Sequence, residues 1–225
     1  MRLFEVFKDF LKIFISIKKT KSVKNYSTKV KDWSLSKSQF VEKKFILKQI
    51  NFYKKNKILD YGCNDCSFSN IVTRKFLYWG VDNNPELLKK SIKKHSKNFK
   101  FLKNSKIPFK KNSFDCILIS HVIAHVKNTK TLFKNLQKVL SSNGIIILVT
   151  QNKYYKFFYF FRNIFNNYQP DQTIIKLYSL SDSIKLLEKN NFEVIKYYKF
   201  SVKKNEIISD YLNSRILVIA KKVMI

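Results

Sequence analysis

The residues with the most chemical content lie together in Lys57-Ile58-Leu59-Asp60-Tyr61-Gly62-Cys63-Asn64-Asp65-Cys66-Ser67. An apolar strand ends there in an acid and a tight turn. Gly62 has no Cβ, so backbone can approach a ligand closely at that point. Asn64 is among the few non-glycine types that tolerate the left-handed region. The apolar spacing from Ser67 predicts a helix over 67–75. A strand, a turn and a helix start at the carboxyl edge of a sheet form the place where open α/β folds bind nucleotide-like ligands. A second acid, Asp82, ends the next predicted strand about 20 residues after the turn, where an acid can accept both hydroxyls of a ribose. Each such charge-assisted hydrogen bond contributes roughly 1.5–3 kcal/mol.

Cys63 and Cys66 form a C-x-x-C. A redox dithiol would carry Trp before the pair and Gly-Pro within it, and both are missing. A zinc site needs a second ligand pair. Cys116 lies in an apolar strand and no histidine has ligand spacing to it, so metal: none is the expectation. Two of the three histidines, His121 and His125, follow a strongly apolar strand.

These groups need a framework, and the chain alternates to provide one. Strands are expected at 58–61, 76–81, 99–102, 114–120, 145–150, 192–200 and 215–221. Helices are expected at 38–54, 67–75, 85–97, 129–140 and 181–190. In the first of these helices Phe40, Val41, Phe45, Ile46 and Ile50 should face inward. Pro85 suits a first helical position because of its fixed φ and missing N–H. Ser141-Ser142-Asn143-Gly144 should stop the helix before the fifth strand. Such alternation builds a parallel sheet with helices on both faces.

Composition sets the outer bounds. The chain has 225 residues, 45% of them hydrophobic, which is enough for a real core and rules out wholesale disorder. Three cysteines, an odd and small number, argue against a disulfide framework and for a reducing compartment. The formal charge of +30 raises nucleic acid or an anionic membrane surface as partners. Almost all of the 45 basic residues are lysine, and a dedicated nucleic-acid surface would favour arginine. Abundant Lys, Asn and Ile fit an AT-rich genome. Residues 1–19 carry an amphipathic helical stripe without a cleavage site, and no apolar run reaches the ~18 residues of a membrane span. Residues 153–168 are aromatic on all sides. Both segments suit a membrane interface or a lipid-linked ligand.

The turn resembles the first motif of Rossmann-like S-adenosylmethionine (SAM)-dependent methyltransferases, Asp-x-Gly-x-Gly-x-Gly. Asp60 and Gly62 match it; Asn64 and Cys66 replace the later glycines. The run Ile107-Pro108-Phe109-Lys110-Lys111-Asn112-Ser113-Phe114-Asp115 is similar to the family's fourth-strand entry. Ser120-His121-Val122-Ile123-Ala124-His125-Val126 is similar to its exit, with Ala124 in place of a glutamate. Leu136–Ile147 and Leu186–Glu193 resemble its fifth-strand approach and its late helix-strand ending. The likeness covers about residues 38–200, in order, and is best to quinone-pathway and cell-surface-polysaccharide methyltransferases.

The resemblance implies a Rossmann-like α/β domain: a doubly wound, mostly parallel seven-stranded sheet with its last strand antiparallel, plus N-terminal helices. It implies SAM as cofactor, held by Asp60, Tyr61, Gly62, Cys63, Asn64, Asp82, Asn83 and Ser120, and leaves the catalytic residue unassigned, with His121 and His125 as weak candidates for a general base. Asn104 or Ser105 would replace the acid that relatives often place before Pro108 to meet adenine. Residues 1–37 are read as an amphipathic helix and basic linker. Residues 38–225 are read as the methyltransferase domain, with a lid-like insert at 153–170. The expected acceptor is a small molecule, a glycan or a lipid-linked compound. The expected location is cytoplasmic, with possible peripheral membrane contact through 1–19 and 153–168. The rival readings are an RNA methyltransferase and a catalytically degenerate member of the fold at a membrane surface; Cys66, Ala124 and the missing adenine-side acid motivate the second.

Overall fold

The computed structural model describes residues 37–95, 98–102, 106–155, 173–203, 206–208 and 213–223. The stripe at 1–19, most of the insert at 153–170, and Asn104 and Ser105 lie outside them. Helix α1 (Lys37–Phe52) leads into β1 (Lys57–Tyr61), β2 (Leu77–Asp82), α2 (Pro85–His95), β3 (Phe99–Phe101) and β4 (Phe114–Ser120). Then come α3 (Thr129–Val139), β5 (Leu140–Gln151), α4 (Leu180–Glu188), β6 (Phe192–Lys203), β7 (Glu206–Ile208) and β8 (Arg215–Lys222).

The strands form one sheet in the order β3-β2-β1-β4-β5-β8-β6-β7. The pairs from β3 through β5 are parallel, and β8 runs antiparallel to both β5 and β6. This is the expected architecture with one addition: β7 is a short hairpin return on β6 that no apolar pattern announced. The order turns back on itself beside β1 and β4, so their carboxyl ends flank the crevice in which such sheets bind ligands.

Because β1, β4 and β5 are covered on both faces, they read as continuous apolar runs. One face packs Ile46 and Ile50 of α1 and Leu88 of α2 against Ile58, Leu118, Ile147 and Leu217. The other packs Leu132, Phe133, Leu136 and Val139 of α3 and Leu187 of α4 against Leu59, Ile117, Ile146 and Val218. Two polar devices fix the helix starts. Asn84 Oδ1 accepts from the amides of Glu86 and Leu87 at 3.0 and 3.2 Å. Ser179 and Asp182 form a reciprocal capping box at α4. Asp115 is structural: its carboxylate accepts from the amides of Asn56 and Lys57 and ties β4 to the approach of β1.

Of three local expectations, two need correction. The helix expected over 67–75 is a 3-10 turn, Ser67–Asn70. Ser69 Oγ bonds back to the Cys66 carbonyl at 2.7 Å, and β-branched Ile71, Val72 and Thr73 follow at once, which favours a short turn over a helix. Ser141–Gly144 does end the helix as expected: α3 stops at Val139, and the ladder with β4 resumes at Ile145 after a register shift opposite Phe114–Cys116. Phe40 is not inward; it is 38% exposed, with the Lys44 ammonium over its ring at 4.4 Å.

Phe133 is fully buried and meets Phe192 edge-on at 5.8 Å, joining α3 to β6 across the core. Phe133→Ala should therefore lower unfolding free energy by about 3–5 kcal/mol, as measured by urea denaturation.

Candidate active site

The loop after β1 is closed by its own hydrogen bonds. Gly62 and Cys63 both donate their amides to the Val81 carbonyl, at 2.7 and 3.1 Å. The Asn64 amide donates to Asp82 Oδ2 at 2.9 Å, the Cys66 amide to the Cys63 carbonyl at 2.8 Å, and the Ser67 amide to Asp65 Oδ1 at 3.0 Å. Asp82 also accepts the Asn84 amide on Oδ1 at 2.8 Å, so it ties the loop to the end of β2. It is buried, and burial raises its pKa against the pull of these amides. The adjacent Asn83 is exposed.

Gly62 has φ +75, and a Cβ there would meet Val122 Cγ2 at 2.4 Å. Its missing side chain thus makes room for protein, where β1 turns under the segment after β4. Gly80 serves the neighbouring strand in the same way: a Cβ there would meet Cys63 Sγ at 2.8 Å. Asn64 and Cys66 adopt left-handed φ of 52 and 57, as the turn demands. The Cys66 sulfur does not obstruct the crevice. It is fully buried, 3.1 Å from Cys63 Sγ, in the apolar layer with Phe68 and Tyr78. Burial and the Cys66 sulfur both raise the Cys63 pKa, with the hydrogen bond from Cys66 the larger cause. Among the described residues no group of three or more potential metal ligands occurs.

Asp60 and Tyr61 are both buried. The Tyr78 hydroxyl donates to Asp60 Oδ2 at 2.6 Å. Burial pushes the Asp60 carboxyl up to about 6, although Tyr78 and the Lys43 ammonium pull the other way. Ser120 ends β4 half-buried, and His121 follows with φ 56, its amide held by the Val149 carbonyl at 2.8 Å. His121 and His125 are engaged separately. His121 Nε2 meets Glu42 Oε1 at 2.8 Å, and His125 Nδ1 meets Thr173 Oγ1 at 2.9 Å.

Glu42, Lys43 and Arg215 belong to this edge and were absent from the sequence reading. Glu42 is buried and also pairs with Arg215 at the start of β8. Burial alone would raise its pKa, but His121 and Arg215 outweigh burial and hold it below the usual carboxylate range. Lys43 reaches the other way and donates to Ser67 Oγ. A signal was available: Glu42, Ile46, Gln49 and Ile50 fall on one helical stripe, and an acid on an apolar stripe calls for a buried partner.

The Asp60 shift has a definite pH signature. Between about pH 4 and pH 6 the folded chain keeps a proton that the unfolded chain has lost. Its contribution to stability is full below about pH 4 and declines as pH rises to about 6, by about 3 kcal/mol. Asp60→Asn removes that dependence. Urea unfolding from pH 4 to pH 7 should show the variant gaining on the wild type by about this amount.

With the geometry in place, comparison with known proteins is direct. The family described as methyltransferase domain matches residues 38–197. An uncharacterized protein of Methanocaldococcus jannaschii is 32% identical over 114 residues, and that match spans about half of each chain, 51% of this one and 49% of the other. A SAM-dependent methyltransferase from Aquifex aeolicus superposes with TM-score 0.64 at 18% identity, over 90% of this chain and 100% of that one. Another, from Methanosarcina mazei, does so with TM-score 0.61 at 16% identity, over 78% and 97%. The structural likenesses support the fold, and the match across residues 38–197 places the chain in the methyltransferase domain family.

Proposed function

We propose that this chain transfers a methyl group from SAM to a small-molecule, glycan or lipid-linked acceptor. The observation that carries the cofactor reading is the hydrogen-bonding state of the loop after β1. Dinucleotide sites hold a pyrophosphate on free loop amides and a helix N-terminus. Here the amides of Gly62, Cys63, Asn64, Cys66 and Ser67 are all taken within the protein. Only a 3-10 turn, Ser67–Asn70, follows. The donor set therefore suits a nucleoside without phosphates, beside acids rather than amides, and SAM meets that description.

SAM, when bound, supplies a methyl group on a sulfonium that a nucleophile can attack. The chain's own part is to bind and orient. A carboxylate has about four accepting positions, so Asp82 can hold ribose hydroxyls in addition to the loop amides. The Gly62 turn and Ser120 bound the crevice between β1 and β4. In-line positioning of donor and acceptor would supply most of the rate.

His121 and His125 are the general-base candidates. His121 Nε2 is held by Glu42, and its Nδ1 is enclosed without a hydrogen-bond partner among the described residues. His125 is instead bound to Thr173. On the acceptor side, almost all of the basic residues are lysine, whereas bidentate nucleic-acid contacts favour arginine, which favours a small or lipid-linked acceptor over RNA. The aromatic sequence at 153–168 favours an apolar one. The placement of Cys66 within the core removes a motive for the degenerate reading.

Calorimetric titration tests the donor. The wild type should bind SAM, and Asp82→Asn should weaken binding by about tenfold or more while leaving the chain folded. A well-folded wild type that binds neither SAM nor its demethylated product would sink the proposal.

A further inference from the structure

We propose that Lys43 anchors the carboxylate of the donor's amino-acid tail, and so selects SAM over nucleosides that lack this tail. The inference rests on the donor reading above.

Helix α1 carries Lys43 to the loop after β1, where its side chain is half-buried and donates to Ser67 Oγ. An ammonium has three donors, and here its partner is a neutral hydroxyl. Among the described residues no carboxylate lies in ion-pair reach of it. Each nearby acid is engaged elsewhere. Glu42 is matched to His121 and Arg215, Asp60 accepts from Tyr78, and Asp65 accepts from the Ser67 amide. Burial accordingly lowers the Lys43 pKa, although Asp60 and Asp65 act on it through space.

A partly desolvated cation whose partner is a hydroxyl is unfavourable unless an anion arrives. The surroundings restrict which anion. A phosphate would face Asp60, Asp65 and Asp82 together, with the amides of Gly62, Cys63, Asn64, Cys66 and Ser67 already taken. An amino-acid zwitterion has one carboxylate for Lys43 and one ammonium for the acidic side. The tail of SAM is such a zwitterion, and it extends from the nucleoside that Asp82 would hold.

The test compares two ligands by calorimetry. S-Adenosylhomocysteine has the amino-acid tail; 5′-methylthioadenosine has the same nucleoside and thioether without it. The wild type should bind the first more tightly. Lys43→Met should weaken S-adenosylhomocysteine by about 10- to 100-fold and leave methylthioadenosine within about twofold. Lys43→Arg should restore most of the loss. Lys43→Gln is measured alongside, with thermal melting of each variant, so that a misfolded protein does not pass for a loss of contact. Equal weakening of both ligands, or of neither, overturns the role of Lys43 and leaves the donor reading standing. A folded wild type that binds neither ligand overturns the donor reading itself, and the Lys43 role with it.

Discussion

One buried carboxylate, Glu42, sets the shape of the functional edge. It lies on α1, outside the alternating strand-helix core, and it meets both His121 after β4 and Arg215 at the start of β8. A carboxylate taken out of water is costly unless matched, and removing one partner of such a cluster typically costs about 3–5 kcal/mol. Glu42 is matched on both oxygens, so α1 is fixed in rotation and in register along the sheet. Everything else α1 brings to the edge follows. Ile46 and Ile50 descend into the core from the same stripe, and Lys43, one residue on, is turned toward the loop after β1.

That loop works by contact with protein more than by openness to a ligand. Gly62 and Gly80 are glycines because Val122 and the Cys63 sulfur occupy the space where their Cβ atoms would lie. Cys66, in place of a glycine, is accommodated in the left-handed region and turned into the apolar layer. The two sulfurs fill a volume between the loop, Phe68 and Tyr78 that a glycine would leave empty. The pair reads as packing, and the raised pKa of Cys63 disfavours the thiolate that redox chemistry needs.

The sheet was legible because its period was unambiguous. Strands covered on both faces leave unbroken apolar runs, as in Cys116–Ile119 and Ile145–Val149, and these can be read without knowing their neighbours. Asp60 and Asp82 were legible for a related reason: each is the first acid after such a run, which places it at the carboxyl edge. Features that depend on contacts between segments distant in sequence were not legible. Nothing in Leu140–Gly144 announces the register shift by which the ladder skips from Leu140 to Ile145; the pairing with β4 decides that. The 3-10 turn at Ser67 looked like a helix because its apolar spacing is right, while its back-bonded serine and β-branched run act against the spacing. Glu42 and Lys43 lie far from the motifs in sequence and meet them only through α1 packing.

The charge of the site runs against the charge of the chain. The formal charge is +30, yet the edge gathers Glu42, Asp60, Asp65 and Asp82 from a chain with only 15 acids. These acids repel one another, and Asp82 and Asp65 both add to the raised pKa of Asp60. Such crowding persists only where local structure holds it, which Tyr78, the loop amides and the Glu42 cluster do here. Lys43 and Arg215 stand among these acids, so the edge carries both signs of charge within a protein that is otherwise strongly basic. A sulfonium donor carries a positive charge that its demethylated product lacks. On the proposed donor reading, an edge of mixed charge has acids to face that sulfonium and Lys43 to face the carboxylate of the tail.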